Sequence, residues 1–445
     1  MRMILTRRAG RLSFKLAALM ATLFISYLIG TGNWKANSSS KTLNFTQLGY
    51  DDENRPEKAC NCQAILKGDR EALAEAKLLN LGKTFRKQVQ VPDQFYVNAS
   101  KDCMKYRTSR KYLTFPLSQE EEDFPIAYSI VLHHKMQSFE RLLRTIYAPQ
   151  NVYCIHVDRK AAPSFFAAVS SVASCFPNVF LVSRREYMIY NGWSRVQADL
   201  NCMAELNASS VPWKYFLNLC GQDFPLKTNL EIVRALRALD GRNSLGSIPM
   251  PWDKKWRTEK VFKVVKGKWN TNGTKKTGQP PFKLFSGNAY IIVTRGFIQS
   301  VLEDRRIQVL LEWAKDTFDA EEMVWATIQR IPGVHGSTWP HSKYDIGDQH
   351  AIARLVKWAW HEGNPTSKNA AYPPCQGVHV RGVCVYGAGD LQWLLTHRHL
   401  FANKFDINTD PIAIYCLEKY LRQKVLDQLR EMNGEYGWEL PGTSQ

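Results

Sequence analysis

No Asp-x-Asp pair occurs anywhere in the 445 residues, so the chain lacks the short carboxylate element that commonly seats a divalent cation under a diphosphate. A phosphate-cradling loop is missing too. Gly273-Thr-Lys-Lys-Thr-Gly278 has the glycine spacing, but Gln279 stands where that pattern needs lysine, and a glycosylation sequon overlaps it. Its absence argues against a sulfotransferase. Gly387-Ala-Gly389 lacks the third glycine of a dinucleotide fingerprint and reads as a turn. Cys60-x-Cys62 and the Cys375/Cys384 pair have no second close pair or histidine set beside them, which speaks against zinc. His133 and His134, adjacent at the end of a strand, are expected on opposite faces and make a poor metal pair. Internal repeats are also lacking. Negative charge is in deficit, with 41 acidic against 59 basic residues and a net charge of +18.

Long apolar runs are scarce as well. The one that exists, Leu16 to Gly30, stays uncharged to Trp34 and follows Arg2, Arg7, Arg8, Arg11 and Lys15. As a helix it would extend about 28 Å, close to the hydrocarbon thickness of a bilayer. Cations on its N-terminal side place residues 1–15 in the cytoplasm, 16–34 across the membrane as a signal-anchor, and the remainder in the lumen. A cleaved signal peptide ending near Gly30-Thr31-Gly32 is the alternative, and the length of the uncharged stretch favours the anchor. Ten cysteines and five sequons (Asn37, Asn44, Asn98, Asn207, Asn272) agree with an oxidising, glycosylating compartment.

Residues 35–60, rich in Ser, Thr, Asn and charge, read as a stem. Segment 61–123 is mixed and expected to pack on the catalytic domain; its acidic end, Glu120–Asp123, reads as a solvated face. From 124 to 430 apolar runs at 124–132, 151–157, 179–182 and 215–219 alternate with helical spacing at 139–147, 161–175 and 196–206, and 431–445 is a tail. Runs that are continuously apolar rather than alternating predict parallel strands covered on both faces, hence an α/β, Rossmann-like sheet. Ligands of such sheets bind outside the carboxyl ends of the strands. The Phe285–Val293 run and helices near 296–303 and 307–316 form a mixed later half, and 266–280 reads as a loop.

Trp193-Ser-Arg-Val-Gln-Ala-Asp-Leu-Asn-Cys-Met203 and Trp213-Lys-Tyr-Phe-Leu-Asn-Leu-Cys-Gly-Gln-Asp-Phe-Pro-Leu-Lys-Thr-Asn229 resemble the core 2 β-1,6-N-acetylglucosaminyltransferases, which branch mucin-type O-glycans. The resemblance covers roughly Cys62 to Leu421. It implies a glycosyltransferase type A fold and inverting transfer of N-acetylglucosamine from UDP-GlcNAc to the C6 hydroxyl of GalNAc in core 1 glycans. No divalent metal or other cofactor is implied. The segment Trp313 to Thr327 is similar to the family's catalytic segment and puts the base on Glu322, with Glu321 beside it expected as an exposed helix opener. The family's Ser-Pro-Asp or Ser-Pro-Glu is here Asp319-Ala-Glu321. Arg381 and Lys404 match the residues that grip the diphosphate. Each cation at about 4 Å contributes roughly 4 kcal/mol of raw attraction at an effective dielectric near 20, so two can replace a metal ion. Val131, His133, Asp158 and Tyr190, at strand carboxyl ends, match positions lining the uridine.

Lys254, Arg257, Lys343 and Trp358 match acceptor-binding positions. Two positions depart from the pattern: Gly246 stands where core 2 enzymes have an acceptor-contacting Glu, and Trp360 replaces a Tyr. Branching on galactose, core 4 branching, transfer to a protein serine, or an inactive glycan-binding protein of the same fold are the alternatives. The resemblance further implies disulfides Cys62–Cys416, Cys103–Cys175, Cys154–Cys202 and Cys375–Cys384, with Cys220 a free thiol in a strand. Cys60 has no counterpart and is open as a free surface thiol or as the link of a homodimer. The partners implied are O-glycans on glycoproteins and the Golgi membrane, not nucleic acid.

Overall fold

Every residue of β1 (Ile126–Leu132) and β2 (Val152–Val157) is buried, which is what their unbroken apolar runs require. The two strands run parallel, with Ala127 opposite Val152 and Leu132 opposite Val157. The computed structural model describes residues 56–435 apart from 279 and 365–369. The predicted anchor at 16–34, most of the stem and the chain beyond 435 lie outside the described residues. Among the described residues no helix is long and apolar enough to cross a membrane.

β3 (Val179–Leu181) pairs parallel to β2, and β4 (Tyr215–Cys220) pairs parallel to β1 on its other side. Three short strands follow in the chain: β5 (Asp223–Pro225), β6 (Ile248–Pro249) and β7 (Lys263–Val265). The last of these forms a hairpin with β8 (Lys268–Asn270), whose turn and second strand fall in the segment 266–280 read as a loop. The Phe285–Val293 run divides into β9 (Phe285–Ser286), paired with β6, and β10 (Ile292–Thr294), which closes the main sheet antiparallel to β4. The sheet order is therefore β10-β4-β1-β2-β3.

Alternate side chains of β1 feed two cores. Tyr128, Ile130 and Leu132 pack with Phe139, Leu142, Val169 and Val172, from the helices Met136–Ile146 and Pro163–Ala173. Ala127 faces the other layer, where Met203, Phe297, Leu310 and Trp325 come from the helices Ser194–Ala208, Arg295–Glu303, Arg305–Ala314 and Glu321–Ile328. A second sheet follows, of β11 (Arg354–Val356), β14 (Phe401–Asn403) and β5, with the hairpin β12 (Val378–Val380) and β13 (Val383–Val385) beside it in the chain. A third core joins Cys62, Ile65 and Ala76 to Ile412, Tyr415 and Leu417 of the C-terminal helix Pro411–Glu435.

All four disulfides implied by the resemblance are formed. Three expectations change. Cys60 is not on the surface: it is buried against the N-terminal and C-terminal helices, and burial lifts its thiol to about 11. Packing already includes the end of the predicted stem, because Glu57 of the turn Pro56–Ala59 is buried and pairs with Arg141 at 2.6 Å. The acidic run is not wholly solvated either, since Glu121 is buried and accepts a hydrogen bond from Asn229 at 2.7 Å.

Candidate active site

The chain leaves β1 toward β2 on one side of the sheet and returns to β4 on the other, so a crevice opens at the carboxyl ends of β1 and β4. Val131 lies there, buried, its carbonyl accepting from the Gly221 N–H at 3.2 Å. The strand ends at Leu132. Period-two alternation therefore no longer governs His133 and His134, whose rings stack with centroids 3.8 Å apart, contrary to the opposite-face expectation. Desolvation, and then the neighbouring His134, lowers the His133 imidazole to about 4; both rings have exposed edges, so water screens part of that effect.

Asp158, just past β2, is buried and works on the backbone. Its Oδ1 accepts from the N–H groups of Lys160 at 2.9 Å and Met188 at 3.3 Å, which holds the loop that carries Tyr190. Tyr190 is exposed, and the Arg381 guanidinium stands over its ring at 4.3 Å. Arg381 is presented by a two-residue turn. Val380 pairs with Val383, and Arg381 (φ 54) and Gly382 (φ 76) are both left-handed, the signature of a type I′ hairpin. Lys404 follows β14. Burial, and among charged neighbours Arg381, lowers its ammonium below the ordinary value, against the pull of Cys220 and Asp406. Two cations near enough to disfavour each other make a site for an anion.

Behind the hairpin, Trp358 and Trp360 stack at 4.6 Å. Trp360 leaves an exposed face and packs so closely on Gly382 that a Cβ there would lie 2.6 Å from its ring. The Ala359 N–H donates to the Gly382 carbonyl at 2.9 Å, and Cys375–Cys384 closes the hairpin base.

A second group gathers at the start of the helix Glu321–Ile328. Oε2 of Glu322 accepts from Arg257 Nη1 at 2.7 Å and from Lys254 Nζ at 3.3 Å. Arg257 Nη1 also reaches Asp319 Oδ2 at 3.2 Å. Asp319, left-handed at φ 48, donates its N–H to the Asn191 carbonyl at 2.9 Å. That bond joins the turn before Glu322 to the loop of Tyr190, so the two groups are neighbours. Desolvation, reinforced by Glu322, raises the Asp319 carboxyl to about 6 despite Arg257 and Lys254. Glu321 is not the exposed residue the sequence predicted. Its Oε2 is buried without a hydrogen-bond partner among the described residues, and burial, in spite of the nearby Arg195, lifts the acid to about 8.

Lys343 sits apart: exposed, with its ammonium over the Tyr344 ring at 4.8 Å, it makes no hydrogen bond or ion pair to Glu322 or Lys254 among the described residues. The structure adds a residue that sequence reasoning missed, Asp348: desolvation, opposed by Lys254 and reinforced by Glu322, raises its carboxyl to about 6. No local pattern marks it. Glu362, Cys375 and His379 also approach one another, but the Cys375 sulfur is committed to a disulfide and is no metal ligand.

The family model for the Core-2/I-branching enzyme matches residues 126–395. A Homo sapiens β-1,3-galactosyl-O-glycosyl-glycoprotein β-1,6-N-acetylglucosaminyltransferase is 52% identical over 377 residues, 84% of this chain and 88% of the relative. Its Bos taurus counterpart is 50% identical over 411 residues, 92% of this chain and 95% of the relative. A second Homo sapiens protein of that name, numbered 3, is 50% identical over 371 residues, 83% of this chain and 84% of the relative. A parallel sheet ending in paired cations, beside a carboxylate held by Lys and Arg, is in this company a glycosyltransferase. More narrowly, the chain belongs to the Core-2/I-branching enzyme family and is a β-1,6-N-acetylglucosaminyltransferase.

Proposed function

We propose that the protein moves N-acetylglucosamine from UDP-GlcNAc to the C6 hydroxyl of GalNAc in Galβ1-3GalNAc, with inversion and without a divalent metal, in the Golgi lumen. Glu322 takes the proton of that hydroxyl as its oxygen attacks the anomeric carbon. The bond from that carbon to the diphosphate breaks on the opposite side, and its electron pair leaves on UDP. Arg381 and Lys404 stabilise the charge that grows on the leaving oxygen, in the manner of an oxyanion hole. Tyr190, under Arg381, fits the nucleotide side of the crevice; Lys254 and Arg257 are donors for acceptor hydroxyls, and Trp360 offers a face for a sugar ring.

The observation that carries this reading is the adjacency of two unlike charge groups, a carboxylate pinned by Arg257 and Lys254 and a cation pair at Arg381 and Lys404. The relatives' names supply the sugar and the acceptor class. The test is turnover of UDP-GlcNAc in EDTA against a panel of acceptors, with linkage analysis of the products. A β-1,6 branch on GalNAc is expected. Transfer that starts only when manganese is added, or that goes only to terminal galactose or a protein serine, sinks the reading.

A further inference from the structure

Residues 344–346 are clamped rather than free. The Ser247 N–H donates to the Ile346 carbonyl at 2.7 Å, and the Ile346 N–H returns a bond to the Ser247 carbonyl at 3.1 Å. Buried Arg330 grips the same two segments, donating to the Ser247 carbonyl at 2.6 Å, the Tyr344 carbonyl at 2.8 Å and Asp345 Oδ1 at 2.7 Å. The clamp ends two residues before Asp348. A Cβ built on Gly246 would lie 2.1 Å from Asp348 Oδ1, so the carboxylate lies against Gly246 and would have to turn away to admit a side chain there.

Gly246 is not among the left-handed glycines, so space and not backbone conformation demands glycine there. Across from it, a Cβ on Gly287 would meet the Gly246 carbonyl at 2.0 Å, and the Gly287 N–H donates to the Glu322 carbonyl at 2.7 Å. Asp348 therefore stands one backbone layer from the residue that carries the base. It is exposed, and it makes no hydrogen bond or ion pair with another side chain among the described residues. A carboxylate set against Gly246, exposed and without a side-chain partner among the described residues, is an acceptor for two neighbouring sugar hydroxyls.

We propose that Asp348 recognises the acceptor sugar, reaching its hydroxyls through the space that Gly246 leaves. The inference rests on the proposed function, because it places the acceptor beside Glu322. Its test compares wild type, Asp348→Asn, Gly246→Glu and Gly246→Glu/Asp348→Gly as full-length enzymes, on Galβ1-3GalNAc and on analogues lacking one hydroxyl at a time. Asp348→Asn is expected to raise the acceptor KM about tenfold or more, leaving the UDP-GlcNAc KM and the melting temperature unchanged. One deoxy analogue should be penalised by wild type and not by Asp348→Asn. Gly246→Glu alone should lose acceptor binding, and removing Asp348 in the double variant should restore part of it. An acceptor KM for Asp348→Asn within twofold of wild type, or a loss confined to kcat, overturns the assignment. Wild type that ignores Galβ1-3GalNAc overturns the proposed function instead, and the same variants are then compared on the acceptor that the panel reveals.

Discussion

Glu322 is oriented by two unequal ion pairs, a close one to Arg257 and a longer one to Lys254. An arriving hydroxyl can displace the longer contact and still find the carboxylate aimed by the shorter. Removing the charge while keeping the shape isolates that role. Glu322→Gln is expected to lower kcat at least about a hundredfold with an unchanged melting temperature; activity near wild type would remove the base. Glu321, next in the chain, has a different consequence. Its folded acid titrates at about 8 instead of the ordinary 4.5. A raised acid contributes stability that is complete below the unfolded value and is lost as pH climbs through the folded one. Asp319, at about 6, acts in the same direction over a lower window. Between about pH 5 and 8.5 wild type should therefore lose on the order of 2 kcal/mol more than Glu321→Gln. Denaturant midpoints at the two pH values check this, and parallel losses would show that the buried acid stays ionised.

At the scale of elements, the proposed donor site leans most on the β12–β13 hairpin. Its turn needs two left-handed residues, and glycine supplies only the second. Arg381 accepts a strained backbone of order 1–3 kcal/mol, and in return its guanidinium projects over Tyr190. Gly382 has no such latitude, being left-handed and in contact with Trp360. Gly382→Ala is expected to lower stability by about 1–3 kcal/mol and to raise the KM for UDP-GlcNAc several-fold by moving Arg381. Thermal unfolding and donor kinetics measure the two effects, and a stability loss without a KM change would detach the turn from the nucleotide.

For the molecule as a whole, the ends of the described fold are tied together. Cys62 and Cys416 are 354 residues apart in sequence, and both lie in the core shared by the N-terminal and C-terminal helices. Closing a loop of that length removes unfolded-state entropy equivalent to at most about 6 kcal/mol in the chain-entropy account. Cys62→Ala/Cys416→Ala should lower the unfolding midpoint strongly while leaving KM values near wild type, because the loss falls on a core that Cys384 of β13 shares and not on a side chain proposed to touch substrate. A KM change larger than the stability loss explains would tie the bridge to the site.

The parallel sheet was legible in the chain because strands covered on both faces must be apolar throughout, a pattern visible residue by residue in Ile126–Leu132 and Val152–Val157. Motif resemblance singled out Glu322, Arg381 and Lys404, whose roles belong to the proposed function. Tertiary structure decided the rest. Glu321 is half-buried with its Oε2 enclosed, not exposed, where the turn at Asp319 docks on Asn191, and the stacked histidines follow from a strand that stops at Leu132. Asp348 comes to lie against Gly246, about a hundred residues earlier in the chain, where Arg330 ties the two segments together. Periodicity records burial within one element. Where a loop side chain ends up depends on contacts far away in sequence, and no local pattern carries that information.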